Sequence, residues 1–252
     1  MRAHLALLST VDAHRRASGY GSTMSEIKVL AFDTFGTVVD WHGSIVAEMA
    51  RIAPQIDGDA FALAWRNGYW PAMKATTKSG EWRVLDELHR DILEEIAPQF
   101  GLHLDEAAMT DLNLIWHRLD PWPDSVGGIA RLKRKFIVTP LSNGGIGLLT
   151  NMSKRAGIPW DLILSAEVFR AYKPDPRAYE GVPKVLGVRP EQVMMVAAHH
   201  RDLDGAAAAG LRTAYIERPL EYGAGHPKDV SMSPQHPLHF TDIGSLADHL
   251  LE

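Results

Sequence analysis

Residues 27–37 read IKVLAFDTFGT, and this stretch decides the fold of the chain. Its first part, residues 27–32, is short, mostly apolar and followed by turn residues, which is typical of a buried parallel strand. Asp33 comes next, so its carboxylate is expected at the carboxyl edge of the sheet, where open α/β sheets bind ligands. The turn at Gly36 lets backbone amides face the same ligand. This arrangement predicts that Asp33 is a nucleophile.

The rest of the chain alternates strands with helices. Helical patterns separate further apolar runs and end in a closing helix at residues 243–251. The alternation predicts an α/β fold with a doubly wound, Rossmann-like parallel sheet. The runs that predict the additional strands are residues 136–141, 162–165, 193–197 and 212–216.

A long helical block interrupts this alternation. Residues 85–96 have the apolar spacing of an amphipathic helix, and residues 112–119 repeat it. A helix over residues 58–73 is expected to be interrupted near Pro71. We predict an all-helical cap subdomain at residues 41–119, inserted into a core domain of residues 25–40 and 120–252.

Irregular structure is predicted for two segments of the chain. Residues 1–24 hold only a short apolar run, too short for a signal peptide, and predict a disordered N-terminal extension. Residues 219–237 are rich in Gly, Pro, His and Ser and predict a loop.

Composition excludes several classes of function. The chain has 26 basic and 31 acidic residues, a net charge of −5 and no basic block, which argues against nucleic acid and anionic membranes as partners. No apolar run reaches the length of a membrane span. The chain contains no cysteine, so disulfides, thiolate metal sites and thiol nucleophiles are excluded. A cytoplasmic protein is the simplest interpretation.

Four stretches resemble, in order, the four motifs of the haloacid dehalogenase superfamily. A lone DxxGT pattern would be weak, but four motifs in the right order are specific. The resemblance extends over residues 27–222. The stretches are residues 33–40 (DTFGTVVD), 140–144 (PLSNG), 172–176 (YKPDP) and 196–202 (VAAHHRD).

Two positions separate the chain from the phosphatases of this superfamily. Those enzymes use an acid two residues after the nucleophile to protonate the leaving group, and an acid in the fourth motif to help bind Mg²⁺. Phe35 and Ala198 stand at these places, and neither supplies a proton or an oxygen ligand. A halide is a good leaving group and needs no proton, so a carboxylate attacks its carbon directly.

The resemblance therefore implies a type II L-2-haloacid dehalogenase without metal or cofactor. Such an enzyme hydrolyses a small 2-haloacid to the 2-hydroxy acid through an aspartyl ester, with inversion at C2, and a homodimer is a further expectation. Two alternatives stay open from the residues. One is a Mg²⁺-dependent small-molecule phosphatase of the same superfamily, and the other is a non-catalytic binding protein on this scaffold.

The resemblance also implies roles for individual residues. Lys173 orients and neutralises the catalytic Asp33, and the third catalytic residue, Asp202, links Lys173 to the hydrolytic water. Arg66 holds the halide, and Ser142 binds the substrate carboxylate with the amides of Thr34 and Phe35. The full set of expected substrate-binding residues is Thr34, Phe35, Thr37, Arg66, Ser142, Asn143, Tyr179 and His199.

Simpler structural roles compete with these assignments. Ser142 and Asn143 could form a turn that caps the next helix, and Asp202 could cap the helix that begins near Leu203. Lys173 and Arg66 could be solvated surface residues. Tyr179 could be an ordinary core tyrosine.

The chain departs from the best-known family pattern at two positions. Ala197 and His199 stand where those enzymes have Ser and Asn. His199 could position water, contact the halide or simply pack. A metal site at His199 and His200 is not expected, because neighbours along a chain rarely face one ion and no third ligand is evident. The departure leaves the water-activating step and the halogen preference, including fluoride, open.

Overall fold

A computed structural model describes residues 26–252, so the predicted extension over residues 1–24 lies outside the described residues. A six-stranded sheet with the order β5-β4-β1-β6-β7-β8 forms the centre, and all its strand pairs are parallel. The predicted doubly wound sheet is confirmed. The strands are β1 (Val29–Phe32), β4 (Ile137–Ser142), β5 (Leu164–Ser165), β6 (Val193–Ala197), β7 (Arg212–Ile216) and β8 (His239–Phe240).

The central strand β1 is fully buried because it contacts a hydrophobic layer on each face. Leu30 and Phe32 belong to one apolar cluster, whereas Val29 and Ala31 belong to another. This alternation follows from the two-residue period of side chains along a strand. Helices cover both faces: α5 (Ser125–Leu132), α6 (Ile146–Ala156), α7 (Ala166–Phe169), α8 (Pro176–Leu186), α9 (His200–Ala208) and α10 (Ile243–Leu251).

The register of three adjacent strands places the predicted motifs side by side. Phe32 at the end of β1 pairs with Pro140 of β4 and with Val196 of β6. The residues that follow each strand therefore meet at one edge of the sheet.

A helical cap is inserted between two short strands, as predicted. β2 (Val39–Asp40) and β3 (Asp120–Pro121) pair in antiparallel fashion, so the chain leaves and re-enters the core at one place. The residue boundaries of the predicted subdomain stay a prediction. The cap helices are α1 (Trp41–Ile52), α2 (Gly58–Ser79), α3 (Leu85–Ile96) and α4 (Glu106–Asn113), with 3₁₀ turns at Ala97–Phe100 and Leu114–His117.

Two details of the cap differ from the sequence prediction. The expected interruption near Pro71 was wrong, because α2 continues through the proline to Ser79. A proline removes one backbone hydrogen bond, and burial of Tyr69, Met73 and Thr76 on both sides of it holds the helix together. The helix expected over residues 112–119 is instead the end of α4 followed by a 3₁₀ turn.

The chain after β7 crosses the carboxyl edge of the sheet as a loop before it forms β8 and α10. The prediction of a loop over residues 219–237 and of a closing helix agrees with this course. The two-residue strand β8 was not predicted. Within residues 26–252, no helix is both long enough and apolar enough to cross a membrane.

Candidate active site

A cavity of about 240 Å³ lies between the carboxyl edge of the sheet and cap helix α2. The core contributes residues that directly follow strands, and α2 contributes residues from the turns before Pro71. Aromatic rings of Phe35, Tyr69, Trp70, Tyr179 and Tyr222 form much of the wall. The charged and titratable side chains in the wall, apart from the tyrosines, are Asp33, Arg66, Lys173, His199, Arg201 and Asp202.

Lys173 bridges two carboxylates in this wall. Its Nζ donates a hydrogen bond to Asp33 Oδ1 at 2.9 Å and another to Asp202 Oδ2. Burial alone would raise the pKa of Asp33, but Lys173 and His199 hold that pKa well below its usual range. Burial disfavours the ammonium, yet Asp202 and Asp33 raise the pKa of Lys173. Asp33 is therefore an ionised carboxylate at neutral pH, as a nucleophile must be.

Thr37 contacts the Asp33 carboxylate from outside the cavity wall. Its hydroxyl donates to Asp33 Oδ2 at 2.7 Å and accepts from the backbone N–H of Ala198 at 2.9 Å. Thr37 is fully buried and lies outside the cavity wall. The structure thus places it as a positioning residue that ties the end of β1 to the end of β6.

Asp202 lies in the first turn of α9, but it does not cap that helix. His199 occupies the N-cap position, so the alternative role for Asp202 was wrong. The Asp202 carboxylate instead accepts from Lys173 and from the hydroxyl of Tyr179, the latter at 2.7 Å. Burial raises the pKa of Asp202. The positive charge of Lys173 lowers that pKa, whereas the negative charge of Asp33 raises it further. Tyr179 thereby touches both the apolar core and the site.

Arg66 projects from α2 into the cavity, and no carboxylate in the described part of the chain pairs with it. Its guanidinium lies 4.2 Å from the ring centroid of Tyr69 and 5.5 Å from that of Trp41. Its Nη1 is buried and has no hydrogen-bond partner within the described part of the chain. A buried cationic donor without a partner is costly, so this geometry favours an anion in the cavity.

The remaining predicted residues divide between the wall and the layer behind it. Asn143 lines the cavity, and its Oδ1 accepts from the backbone N–H of Lys173 at 2.8 Å. Ser142 is fully buried outside the wall, where its Oγ accepts from the N–H of Gly144 at 3.1 Å. Thr34 is also outside the wall, and its Oγ1 finds no partner among residues 26–252. The structure therefore does not bring the Ser142 side chain to the cavity.

His199 is held between two carboxylates. Its Nδ1 lies 3.0 Å from Asp33 Oδ2, and its Nε2 lies 2.8 Å from Glu221 Oε1. Burial disfavours the imidazolium, but Glu221 and Asp33 raise the pKa of His199 to about 9. Burial would raise the pKa of Glu221, yet His199 and Lys228 lower it to about 2. At neutral pH, the pair is an imidazolium beside a carboxylate.

Sequence reasoning missed several of these residues. Glu221, Tyr222 and Lys228 belong to the loop that was predicted only as irregular chain, and Arg201 follows the histidine pair. Glu221 is fully buried although it lies in a Gly- and Pro-rich segment. A single sequence carries no periodic signal for such residues, because their position depends on how the loop crosses the sheet edge.

A resident metal ion has no evident binding set in the described residues. No group of three or more His, Asp or Glu side chains in residues 26–252 has a geometry that would hold one. The Lys173 ammonium already lies between Asp33 and Asp202, the two carboxylates in the wall.

Comparison with known proteins agrees with this geometry. The sequence model of the haloacid dehalogenase-like hydrolases matches residues 27–210. The chain belongs to the haloacid dehalogenase-like hydrolase family. A curated relative, (S)-2-haloacid dehalogenase 1 from Pseudomonas sp. (strain CBS-3), is 29% identical over 217 residues, which cover 84% of this chain and 92% of the relative.

Solved structures of this hydrolase family superpose over most of the chain. The L-2-haloacid dehalogenase PA0810 is 40% identical, with a TM-score of 0.84, and the match covers 89% of this chain and 99% of that one. The defluorinating L-2-haloacid dehalogenase Rha0230 is 42% identical, with a TM-score of 0.85, and covers 90% and 96% of the two chains. The recognition of a type II haloacid dehalogenase from the four motifs is confirmed.

Proposed function

We propose that this haloacid dehalogenase-like hydrolase removes the halogen from short L-2-haloacids and yields the 2-hydroxy acid. Asp33 attacks the carbon that carries the halogen and forms an ester, which water then hydrolyses. One observation carries the proposal. The ionised carboxylate of Asp33 and the guanidinium of Arg66, whose Nη1 has no hydrogen-bond partner within residues 26–252, line the same small cavity.

The two groups suit the two ends of a carbon–halogen bond. An ionised carboxylate supplies the electron pair, and a guanidinium, which is weakly hydrated, suits a departing halide. Its field also stabilises the negative charge that develops on the leaving atom. Phe35 stands in the wall where a phosphatase needs an acid, and a halide does not require one.

The size and charge of the cavity support a small anionic substrate. Its volume of about 240 Å³ is below the roughly 300–1,000 Å³ of sites for drug-sized ligands. Lys173, Arg66 and Arg201 place positive charge around it. Asn143 and the backbone after Asp33 are the groups best placed to bind the substrate carboxylate. Ser142 supports the turn at Asn143, because its Oγ accepts a hydrogen bond from the N–H of Gly144.

Lys173 supports metal-independent chemistry. It gives the Asp33 and Asp202 carboxylates the counter-charge that a divalent cation supplies elsewhere. The relatives named above are (S)- or L-2-haloacid dehalogenases, which supports the choice of enantiomer. A homodimer and a cytoplasmic location remain predictions.

The test is halide release from separate L- and D-2-chloropropionate, with and without EDTA. We expect release from the L form alone and no effect of the chelator. Asp33→Asn should abolish release, whereas Asp248→Asn, which alters an exposed ion pair with Arg131, should not.

Two outcomes would reject the proposal. Phosphate release from p-nitrophenyl phosphate that depends on Mg²⁺, without halide release, would establish the phosphatase alternative. Halide release by Asp33→Asn at the parental rate would show that Asp33 is not the nucleophile.

A further inference from the structure

His199 lines the cavity and contacts both Asp33 and Glu221, a residue of the loop after β7. Its two ring nitrogens face Asp33 Oδ2 and Glu221 Oε1. Carboxylates accept hydrogen bonds and do not donate them when ionised, so the ring must carry a proton on each nitrogen. In the resting enzyme, the imidazolium is thus fixed by two anions.

Glu221 is held in place by contacts with Lys228, Trp41 and Gly36, so we expect it to stay fixed if His199 moves. Lys228 Nζ donates to Glu221 Oε2 at 2.5 Å and also to the carbonyl oxygen of Ala198. Trp41 Nε1 donates to Glu221 Oε1 at 3.4 Å, and the side chain packs directly on Gly36. Lys228 and Glu221 therefore hold the imidazole ring in place against Asp33.

The charges of this network balance before the reaction and no longer balance after alkylation. Asp33, Asp202 and Glu221 are anions, and Lys173, Lys228 and His199 are cations. An ester at Asp33 leaves two anions for three cations, with Arg66 and Arg201 also in the wall. Lys173 stays paired with Asp202, and Lys228 stays paired with Glu221. His199 still faces Glu221 at Nε2 but loses the anion at Nδ1, so its Nδ1 proton is the one released.

We propose that His199, clamped by Glu221 and Lys228, carries a proton through both half-reactions of Asp33. It releases the Nδ1 proton when the ester forms and takes a proton from the water that hydrolyses the ester. This role rests on the proposed dehalogenation and assigns to His199 the water activation that the replaced family residues leave open.

Atoms and charges balance in both steps. In the first step, an Asp33 oxygen forms a bond to C2, the halogen leaves with the bonding pair, and the Nδ1 proton passes with it to solvent. In the second step, water oxygen attacks the Asp33 carbonyl carbon and one water proton goes to Nδ1. The bond from this carbon to the ester oxygen breaks, and the second water proton ends on the departing hydroxy acid.

The neutral ring has the right orientation for the second step. Its Nε2–H stays on Glu221, so the lone pair of Nδ1 faces the ester. A carboxylate behind an imidazole fixes the tautomer and stabilises the imidazolium that forms again.

The first test needs no substrate. Asp33→Asn gives Asp33 a neutral side chain, as the ester does. We expect the NMR titration midpoint of His199, assigned by comparison with His199→Asn, to fall from about 9 to below neutral pH, a shift of about two units or more. Glu221→Gln should lower the midpoint in the same way. Glu217→Gln is the matched control, because Glu217 forms a similar pair with His239 at 2.7 Å outside the cavity.

The second test follows a single turnover with L-2-chloropropionate. We expect His199→Asn to release about one halide per active site and then to turn over at least about 100-fold more slowly. Mass spectrometry of the quenched protein should find the ester on the peptide that contains Asp33. The Glu217→Gln control should turn over like the parent without accumulation of the ester.

Separate outcomes overturn the relay and the dehalogenase. A His199 midpoint that stays unchanged in Asp33→Asn, or a His199→Asn enzyme that turns over without accumulating ester, refutes the relay. Wild-type protein that releases no halide from either enantiomer refutes the dehalogenase function itself.

Discussion

The carboxylate of Glu221 occupies the place beside Gly36 where any other residue would carry its side chain. A Cβ atom at Gly36 would lie 2.2 Å from Glu221 Oε1, far inside contact distance. Gly36 also has a φ of +84°, a backbone conformation that L side chains rarely adopt. The turn after Asp33 and the loop after β7 therefore fit together only because this side chain is absent.

Gly36→Ala should disrupt this fit. The left-handed backbone costs about 1–2 kcal/mol and the steric overlap about 1–3 kcal/mol, so we expect the free energy of unfolding in urea to fall by about 2–5 kcal/mol. Displacement of Glu221 should also slow steady-state halide release.

Gly187→Ala provides the matched control for this prediction. Gly187 has a φ of +64° but no atom within 4 Å of its added Cβ. Its free energy of unfolding should fall only by the roughly 1–2 kcal/mol that the left-handed backbone costs. Its rate of halide release should be that of the parent. Equal losses of stability in the two variants would show that Glu221 does not constrain Gly36.

Arg66→Ala should separate function from stability. Loss of the unpartnered guanidinium removes the anion site, and we expect kcat/KM for L-2-chloropropionate to fall at least about 100-fold, or about 2.7 kcal/mol. The free energy of unfolding should change by less than about 1 kcal/mol, because the buried Nη1 of this half-buried side chain has no partner within residues 26–252.

Arg51→Ala is its control, because Arg51 is an exposed arginine paired with Glu48. It should leave kcat/KM unchanged. An Arg66→Ala enzyme with parental kcat/KM would exclude Arg66 from the anion site.

Lys173→Met should destabilise the fold in a pH-dependent way. It leaves Asp202 buried without a counter-ion and Asp33 with His199 alone, which costs about 3–5 kcal/mol at neutral pH. The low pKa of Asp33 contributes stability that is present above pH 3.8 and is lost as pH falls through its folded value. The difference between parent and variant should therefore shrink in acid.

Urea unfolding at several pH values measures this difference. The double variant Lys173→Met with Asp202→Asn should recover part of the loss, because only one buried carboxylate remains. A destabilisation that is the same at pH 2 and pH 7 would contradict the ion-pair explanation.

His199 should make stability depend on alkaline pH. Its pKa is raised from 6.5 to about 9, so the folded state gains from protonation. This contribution is fully present below pH 6.5 and is lost as pH rises through about 9. A shift of this size corresponds to about 3 kcal/mol.

The measurement is the free energy of unfolding of parent and His199→Asn between pH 6 and pH 10. We expect the difference between them to change across this window. The exposed His103→Asn serves as control and should follow the parent curve. Parallel curves for parent and His199→Asn would contradict the raised pKa.

The positions of Asp33 and Lys173 could be predicted from sequence because local rules and ordered motifs place them. Asp33 directly follows a buried strand, and four ordered motifs assigned Lys173 and Asp202 to the same edge. The parallel register of β1, β4 and β6 then brings these segments together. Patterns of apolar residues were sufficient for this part of the fold.

Other features depend on tertiary contacts that such patterns do not contain. Pro71 does not interrupt α2 because buried neighbours on both sides hold it, and Ser142 lies outside the cavity wall although it is the last residue of β4. Glu221 becomes a buried acid only when its loop crosses the turn at Gly36. Its environment comes from residues that are remote in sequence.

The loop that carries Glu221 and Lys228 lies after residue 210, where the match to the family model ends. The proposed nucleophile Asp33, its partner Lys173 and the proposed halide-binding residue Arg66 all lie within the matched region. Under the proposed relay, the clamp that holds the proton carrier is therefore encoded apart from Asp33, Lys173 and Arg66. Exchange of this loop, by selection or by an engineer, can tune proton transfer at His199 while those three residues are inherited unchanged.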